Sequence, residues 1–165
     1  MSEQNIAVVR RWFEEVWNQG CESSIDELFP AEGVAHGLGD SEQDVHGPDE
    51  FKPFVANIRG ALPDTHISID DILADGDRVA VRVTLQGTHT GPGFGVPPTG
   101  RKVSIQGIII VRLVNGRIRE GWNSYDQLGL LRQIGALPSA SKRDTFLSAH
   151  SSRMHPTAGP SALPE

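Results

Sequence analysis

Residues 103–125 read VSIQGIIIVRLV-NG-RIREGWNSY, and this stretch decides the fold. Two long runs that suit strands flank Asn115-Gly116, the dipeptide best able to take the two positive-φ positions of a type I′ hairpin turn. Residues 103–114 and 117–125 are therefore read as antiparallel neighbours. Upstream, His66-Ile67-Ser68-Ile69 alternates, and Val79, Val81, Val83 and Leu85 alternate with Ala80, Arg82 and Thr84. Asp75-Gly76-Asp77 between them is a tight-turn signal, which makes four strands in an antiparallel meander. Downstream, Leu128, Leu130, Leu131 and Ile134 suggest a brief closing helix, stopped by Gly135 and Pro138.

The first third of the chain has a different period. Ile6, Val9, Trp12, Phe13, Val16 and Trp17 recur at three- and four-residue intervals, one stripe of an amphipathic helix over residues 2–18 that ends at Gly20. Residues 24–29 read as a short second helix capped by Ser23 or Ser24, and residues 33–37 as a short extended piece followed by a polar loop over 39–46. Gly47-Pro48-Asp49-Glu50 opens a third helix with Phe51, Phe54, Val55, Ile58 and Leu62 on one face. Pro53 is expected to delay or distort its first turn. Helices followed by an antiparallel meander give an α+β fold. The sheet is expected to curl into a cone around the N-terminal helices, with a pocket between its concave face and the helices. Residues 1–137 form the expected domain. Residues 138–165, rich in Ser, Ala and Pro, are read as a flexible tail, with Phe146 and Leu147 the residues suited to docking on a neighbouring subunit.

The chain's 165 residues suit one domain, with 38% hydrophobic and 22% charged residues. A net charge of −6 argues against a nucleic-acid partner. A single cysteine, Cys21, excludes an internal disulfide framework. No run approaches the length of a membrane span and the start is not that of a signal peptide, so the expectation is a cytoplasmic protein. The six histidines, at 36, 46, 66, 89, 150 and 155, form no His-x-x-x-His pair, and no metal is suggested. The Gly- and Pro-rich residues 91–98 are not a phosphate-binding loop, because no helix follows. They are read as a lid, or as a loop crossing to a dimer partner.

Three stretches resemble the SnoaL-like polyketide cyclase and ester cyclase family: residues 8–20 (VVRRWFEEVWNQG), residues 87–91 with 95–103 (GTHTG and GVPPTGRKV), and residues 115–135 (NGRIREGWNSYDQLGLLRQIG). The resemblance covers roughly residues 5–137. It implies the cone-shaped α+β barrel of the nuclear transport factor two-like superfamily and a cyclisation by intramolecular aldol condensation, with neither metal nor organic cofactor. By motif position, Asp126 resembles the acid–base residue. With no bulge in the strand, Glu120, Trp122, Ser124 and Asp126 share one face, taken as concave because burying Trp122 requires it.

An apolar cavity lined by Trp12, Phe13 and Trp122 would desolvate Asp126 and strengthen it as a base. His89, His36, Asn123 or Tyr125 would donate to the developing enolate. Glu120 and the loop residue Phe94 complete the substrate-binding candidates. Each has a plainer alternative. Asp126 is equally suited to cap the closing helix, His36 to be a rim histidine, His89 to make a loop hydrogen bond, the aromatic residues to fill the core, and Glu120 to pair with Arg112 or Arg82.

The expected partners are a small hydrophobic substrate and a second copy of the chain, docked through an outer sheet face carrying Val79 and Val83 or Ile108 and Ile110. Two alternatives to the cyclase stand: a non-catalytic binding or dimerisation module of the same fold, and an epoxide hydrolase. The hydrolase is disfavoured because Ala80 and Ser124 stand where its second carboxylate is wanted.

Overall fold

The computed structural model describes residues 2–38 and 43–138; the expected tail beyond Pro138 and residues 39–42 of the polar loop lie outside them. The order is α1 (Ser2–Arg11), continuing as a π-helical segment (Trp12–Asn18), α2 (Glu22–Leu28), β1 (Val34–His36), β2 (Val45–His46), α3 (Gly47–Ala61), β3 (His66–Asp75), β4 (Arg78–Thr88), β5 (Lys102–Val114), β6 (Arg117–Tyr125) and α4 (Gln127–Gln133).

The strands form one sheet in the order β2-β1-β6-β5-β4-β3. The meander β3–β6 is antiparallel as predicted, and Asn115 and Gly116 take φ values of 52° and 73° at its last turn. The sheet as a whole is mixed, because β1 adds to the β6 edge in parallel, with β2 antiparallel outside it. Gly37 makes that approach feasible: at φ 70° a Cβ there would stand 2.3 Å from the Asn123 carbonyl oxygen.

The helices cover one face of the sheet. Val79, Val81 and Val83 of β4 and Ile105, Ile109 and Val111 of β5 point into that core, whereas Ile108 and Ile110 remain 57% and 40% exposed on the other face. Of the two rows expected to lie outside, the Val79 and Val83 row is therefore core. Phe51 is the hub of the aromatic packing, 5.0 Å from Trp12 and 5.3 Å from Phe29 between ring centres. Rings at these separations add specific attraction to their buried area.

Three local departures have identifiable causes. The first helix widens to π geometry at Trp12–Asn18, and the Trp17 and Asn18 carbonyls accept from Arg59. The Asn18 side chain meanwhile pairs with both backbone groups of Ile67 on β3. Helix α2 starts at Glu22 after Cys21, so neither Ser23 nor Ser24 is its cap. Helix α3 runs unbroken from Gly47 through Pro53, so the expected distortion of its first turn is absent; the Pro53 ring lies on the exposed side.

Candidate functional site

The site is built where β6 hands over to α4, and a single register shift decides its geometry. Val114 pairs with Arg117 and Leu113 with Ile118, but Arg112 pairs with Glu120, leaving Arg119 as an extra residue. Such a bulge exchanges the two faces of everything beyond it. Glu120, Trp122 and Ser124 therefore do share a face, but it is the one turned away from the helices, opposite Arg112, Ile110 and Ile108. This corrects the expectation that Trp122 points into the concave side. Gly121, Asn123 and Tyr125 take the inward positions instead, opposite Val111, Ile109 and Gly107.

Two spaces meet at these residues. Between the helices and the sheet lies a hollow of about 30 Å³, bounded by Trp12, Phe13, Phe51 and other aromatic side chains, with Asn123 and Tyr125 as its polar groups. It has room for about one water molecule. On the far face lies a groove of about 580 Å³, whose walls include Ile108, Ile110 and Trp122, with Arg82, Gln106 and Asp126 among its polar groups. That volume is in the range of small-molecule sites. Asn123 and Tyr125 border both spaces, and Asp126 is the only carboxylate bordering either among the described residues. The expected apolar pocket on the concave side is thus largely filled by rings, and the larger space is on the opposite face.

Asp126 is exposed and caps α4, its Oδ1 accepting from the Gly129 N–H at 2.8 Å. A Cβ at position 129 would lie 2.1 Å from Asp126 Oδ2, so the carboxylate occupies space that only a glycine leaves free. Asn123 Nδ2 donates to the His36 carbonyl at 2.8 Å. The Tyr125 ring packs over Gly107, where a Cβ would stand 2.5 Å from Cδ1, and burial pushes its phenol up from the ordinary value.

The two candidate histidines border neither space. His89 is fully buried at the base of the Gly/Pro-rich loop, its Nδ1 3.1 Å from Thr99 Oγ1 and its ring against Phe94 at 5.7 Å. Its Nε2 is buried with no hydrogen-bond partner among the described residues. The loop packs against the end of α3, where Gly91 N donates to the Ala61 carbonyl and a Cβ on Gly91 would stand 1.8 Å from the Gly60 carbonyl oxygen. Phe94 is therefore not at either space. His36 lies between Asp44 and Glu120, with Nδ1 2.8 Å from Asp44 Oδ1 and Nε2 3.0 Å from Glu120 Oε1. Glu120 also accepts from Arg112 at 3.2 Å, which is the ion pair read as its plainer role. Hydrogen bonds to these carboxylates, Glu120 first, raise His36 above its ordinary value, and His36 first, then Arg112, lowers Glu120. Among the described residues no group of three or more His, Cys, Asp or Glu is placed to hold a metal ion.

Arg82, Gln106, Gly107, Ile108, Ile110 and Ser124 border the groove without having been singled out as substrate contacts. Ile108 and Ile110, a candidate outer row for a dimer, are outward here, but as the floor of a groove.

A comparison with known proteins bears on this cone. An aklanonic acid methyl ester cyclase from Streptomyces peucetius is 32% identical over 136 residues, which cover 82% of this chain and 92% of that protein. The crystal structure of a candidate SnoaL-like polyketide cyclase from Jannaschia sp. CCS1 superposes with a TM-score of 0.75 at 27% identity, covering 83% of this chain and 95% of that one. AclR from Streptomyces galilaeus, a candidate hydroxylase, superposes with the same TM-score of 0.75 at 29% identity over 86% of this chain and 87% of that one. No helix among the described residues is long and apolar enough to cross a membrane. Residues 7–134 match the SnoaL-like polyketide cyclase family from the π-widened first helix through the Asp126-capped last one, and the chain belongs to that family.

Proposed function

We propose that the protein is a polyketide cyclase that closes a ring in the methyl ester of an aromatic polyketide acid by intramolecular aldol addition, with Asp126 as the base. The single observation that carries this reading is the position of Asp126: among the described residues it alone supplies a carboxylate to the groove, beside Ile108, Ile110 and Trp122. The methyl ester comes from the names of the relatives, among them the Streptomyces peucetius cyclase and a nogalonic acid methyl ester cyclase from Streptomyces nogalater.

In this reading the substrate lies flat on the isoleucines, and Asp126 removes a proton from the carbon between two carbonyls. The electron pair left on that carbon attacks the carbon of a third, more distant carbonyl of the same molecule. One carbon–carbon bond forms, the C=O π bond breaks, and its oxygen takes a proton to become a hydroxyl. Gln106, Ser124 and Arg82, which border the groove from the same face as Ile108 and Ile110, are the donors available to the developing negative oxygen, whereas Asn123 and Tyr125 are turned inward. The cap hydrogen bond from Gly129 fixes where the carboxylate points, which is the positioning a general base requires.

Because the product is an isomer of the substrate, the test is chromatographic. Purified protein is incubated with aromatic polyketide β-keto methyl esters, and a new peak of unchanged mass is expected, formed faster than in buffer. No such peak across the panel would overturn the proposal.

A second reading, a non-catalytic binding module, is favoured by one observation: Asp126 is exposed and already bonded as a helix cap. It predicts ligand binding without isomerisation in the same assay. Nothing in the geometry favours an epoxide hydrolase, since Asp77 sits in the β3–β4 turn and Arg78 lies over Trp122 rather than beside Asp126.

A further inference from the structure

We propose that His36 is a positioning residue for the groove: as an imidazolium clamped between Asp44 and Glu120 it holds the Trp122 indole in the groove wall, so ligand affinity follows its protonation. The inference rests on the groove being the ligand site.

The geometry requires the proton. Both ring nitrogens of His36 face carboxylate oxygens, at 2.8 and 3.0 Å, and a carboxylate only accepts. A neutral imidazole has one N–H, so one of the two contacts would set a lone pair against a negative oxygen. The charges give the same answer. Among the described residues, Asp44, approaching β2, and Glu120, on β6, are the acidic groups facing the ring. Arg112 on β5 neutralises one of them through its 3.2 Å contact with Glu120. The other requires His36⁺. Arg78, on β4, is a further charge among the described residues, and its guanidinium lies 5.6 Å from the Trp122 ring centre.

The link to the groove is direct. His36 is paired with Trp122 across the parallel β1–β6 register, and the two rings stack at 5.7 Å with 25° between their planes. Strand β1 is only three residues long, so few backbone bonds secure it and the clamp at its last residue matters correspondingly. His36 is not a catalytic residue, because both nitrogens are engaged and it does not border the groove. With the folded value of His36 raised, the clamp is complete below 6.5 and is lost as pH rises through that folded value.

The test needs no substrate at its first stage. Protein labelled with 5-fluorotryptophan is titrated from about pH 5 to 9, the window in which histidine changes charge. The Trp122 ¹⁹F line, assigned with Trp122→Phe, is followed alongside the His36 Cε1 carbon resonance, assigned with His36→Gln. Both are expected to share one midpoint above 6.5, and both are expected to move down together in Glu120→Gln. In His36→Gln the Trp122 line is expected not to titrate.

At the second stage the probe is 1-anilinonaphthalene-8-sulfonate. Its affinity is expected to weaken about fivefold above the midpoint in the wild type, the lower end of coupling between linked sites, and to stay constant in His36→Gln. A His36 midpoint at or below 6.5, or a Trp122 line that does not respond, overturns the clamp. Linked midpoints with a constant probe affinity leave the His36–Trp122 coupling standing and overturn the groove as the site it serves. The isomerisation assay fails or succeeds independently of either result.

Discussion

Asp126 is both the cap of α4 and the proposed base, and three substitutions separate the two roles. Asparagine caps a helix about as well as aspartate, so Asp126→Asn keeps the bond to Gly129 N–H and should melt with the wild type. Alanine cannot cap, and the loss is about 1 kcal/mol; for a chain of this length that lowers Tm by roughly 2–4 °C. A general base contributes about 10²–10⁴-fold, so both variants should lose kcat by that factor. Gly129→Ala completes the set. Its Cβ would stand 2.1 Å from Asp126 Oδ2 and 2.6 Å from Cγ, so the carboxylate must swing off the cap. Replacing glycine by alanine in a helix contributes about 1 kcal/mol, which offsets the lost cap of about 1 kcal/mol and leaves Tm nearly unchanged while the base is displaced. The measurements are thermal melts by circular dichroism and initial rates of isomer formation. Full activity in Asp126→Asn would refute the base, and a fall in Tm of several degrees in Gly129→Ala would refute the balance just drawn.

Two further perturbations probe the groove. Gly107→Ala places a Cβ 2.5 Å from Tyr125 Cδ1 and 3.2 Å from the Ser124 carbonyl oxygen, an overpacking that should cost about 1–3 kcal/mol and weaken dye binding by moving the Tyr125 ring; an unchanged melt and affinity would contradict that packing. A homodimer through the sheet, the assembly expected from the sequence, would seat its partner on exposed Ile108 and Ile110 and roof the groove; sedimentation should then show a dimer for the wild type and a monomer for Ile108→Glu, and a monomeric wild type ends the idea.

Most of the fold was legible because its signals are local. Asn115-Gly116 demands a tight turn, and the valines of β4 alternate against polar neighbours, so strand existence, order and pairing followed. The face of β6 was not legible, for a reason that is also local. Counted back from the turn without interruption, Trp122 falls opposite Ile109 and points into the core. With Arg119 as an extra residue it falls opposite Ile110 and points out. Nothing in Arg117-Ile118-Arg119-Glu120 announces that insertion, and Ile108–Val111 is apolar throughout, so the partner strand offers no alternation against which to correct the count. The bulge is secured by contacts distant in sequence: Arg117 donates to the Asp26 and Glu27 carbonyls at the end of α2, and Arg119 reaches Glu32. The parallel addition of β1 was equally hidden, since three residues carry too little pattern to choose a neighbour.

The bulge also bears on how such a site is able to work. It leaves an amide and a phenol, Asn123 and Tyr125, facing the narrow aromatic hollow, and leaves the acid on the open side. A solvated carboxylate is a poor base because water stabilises its charged form, and desolvation removes that stabilisation. Water around Asp126 is displaced only when something apolar covers it, and the nearest apolar floor, Ile108 and Ile110, is itself exposed until a ligand or a second copy lies on it. Base strength in the proposed mechanism is therefore a consequence of occupancy: a broad aromatic substrate strengthens Asp126 by excluding water, whereas a small one leaves it solvated and unreactive. Selectivity for large substrates would then appear in kcat as well as in KM, because the same buried area that binds the ligand also raises the free energy of the charged base before proton transfer.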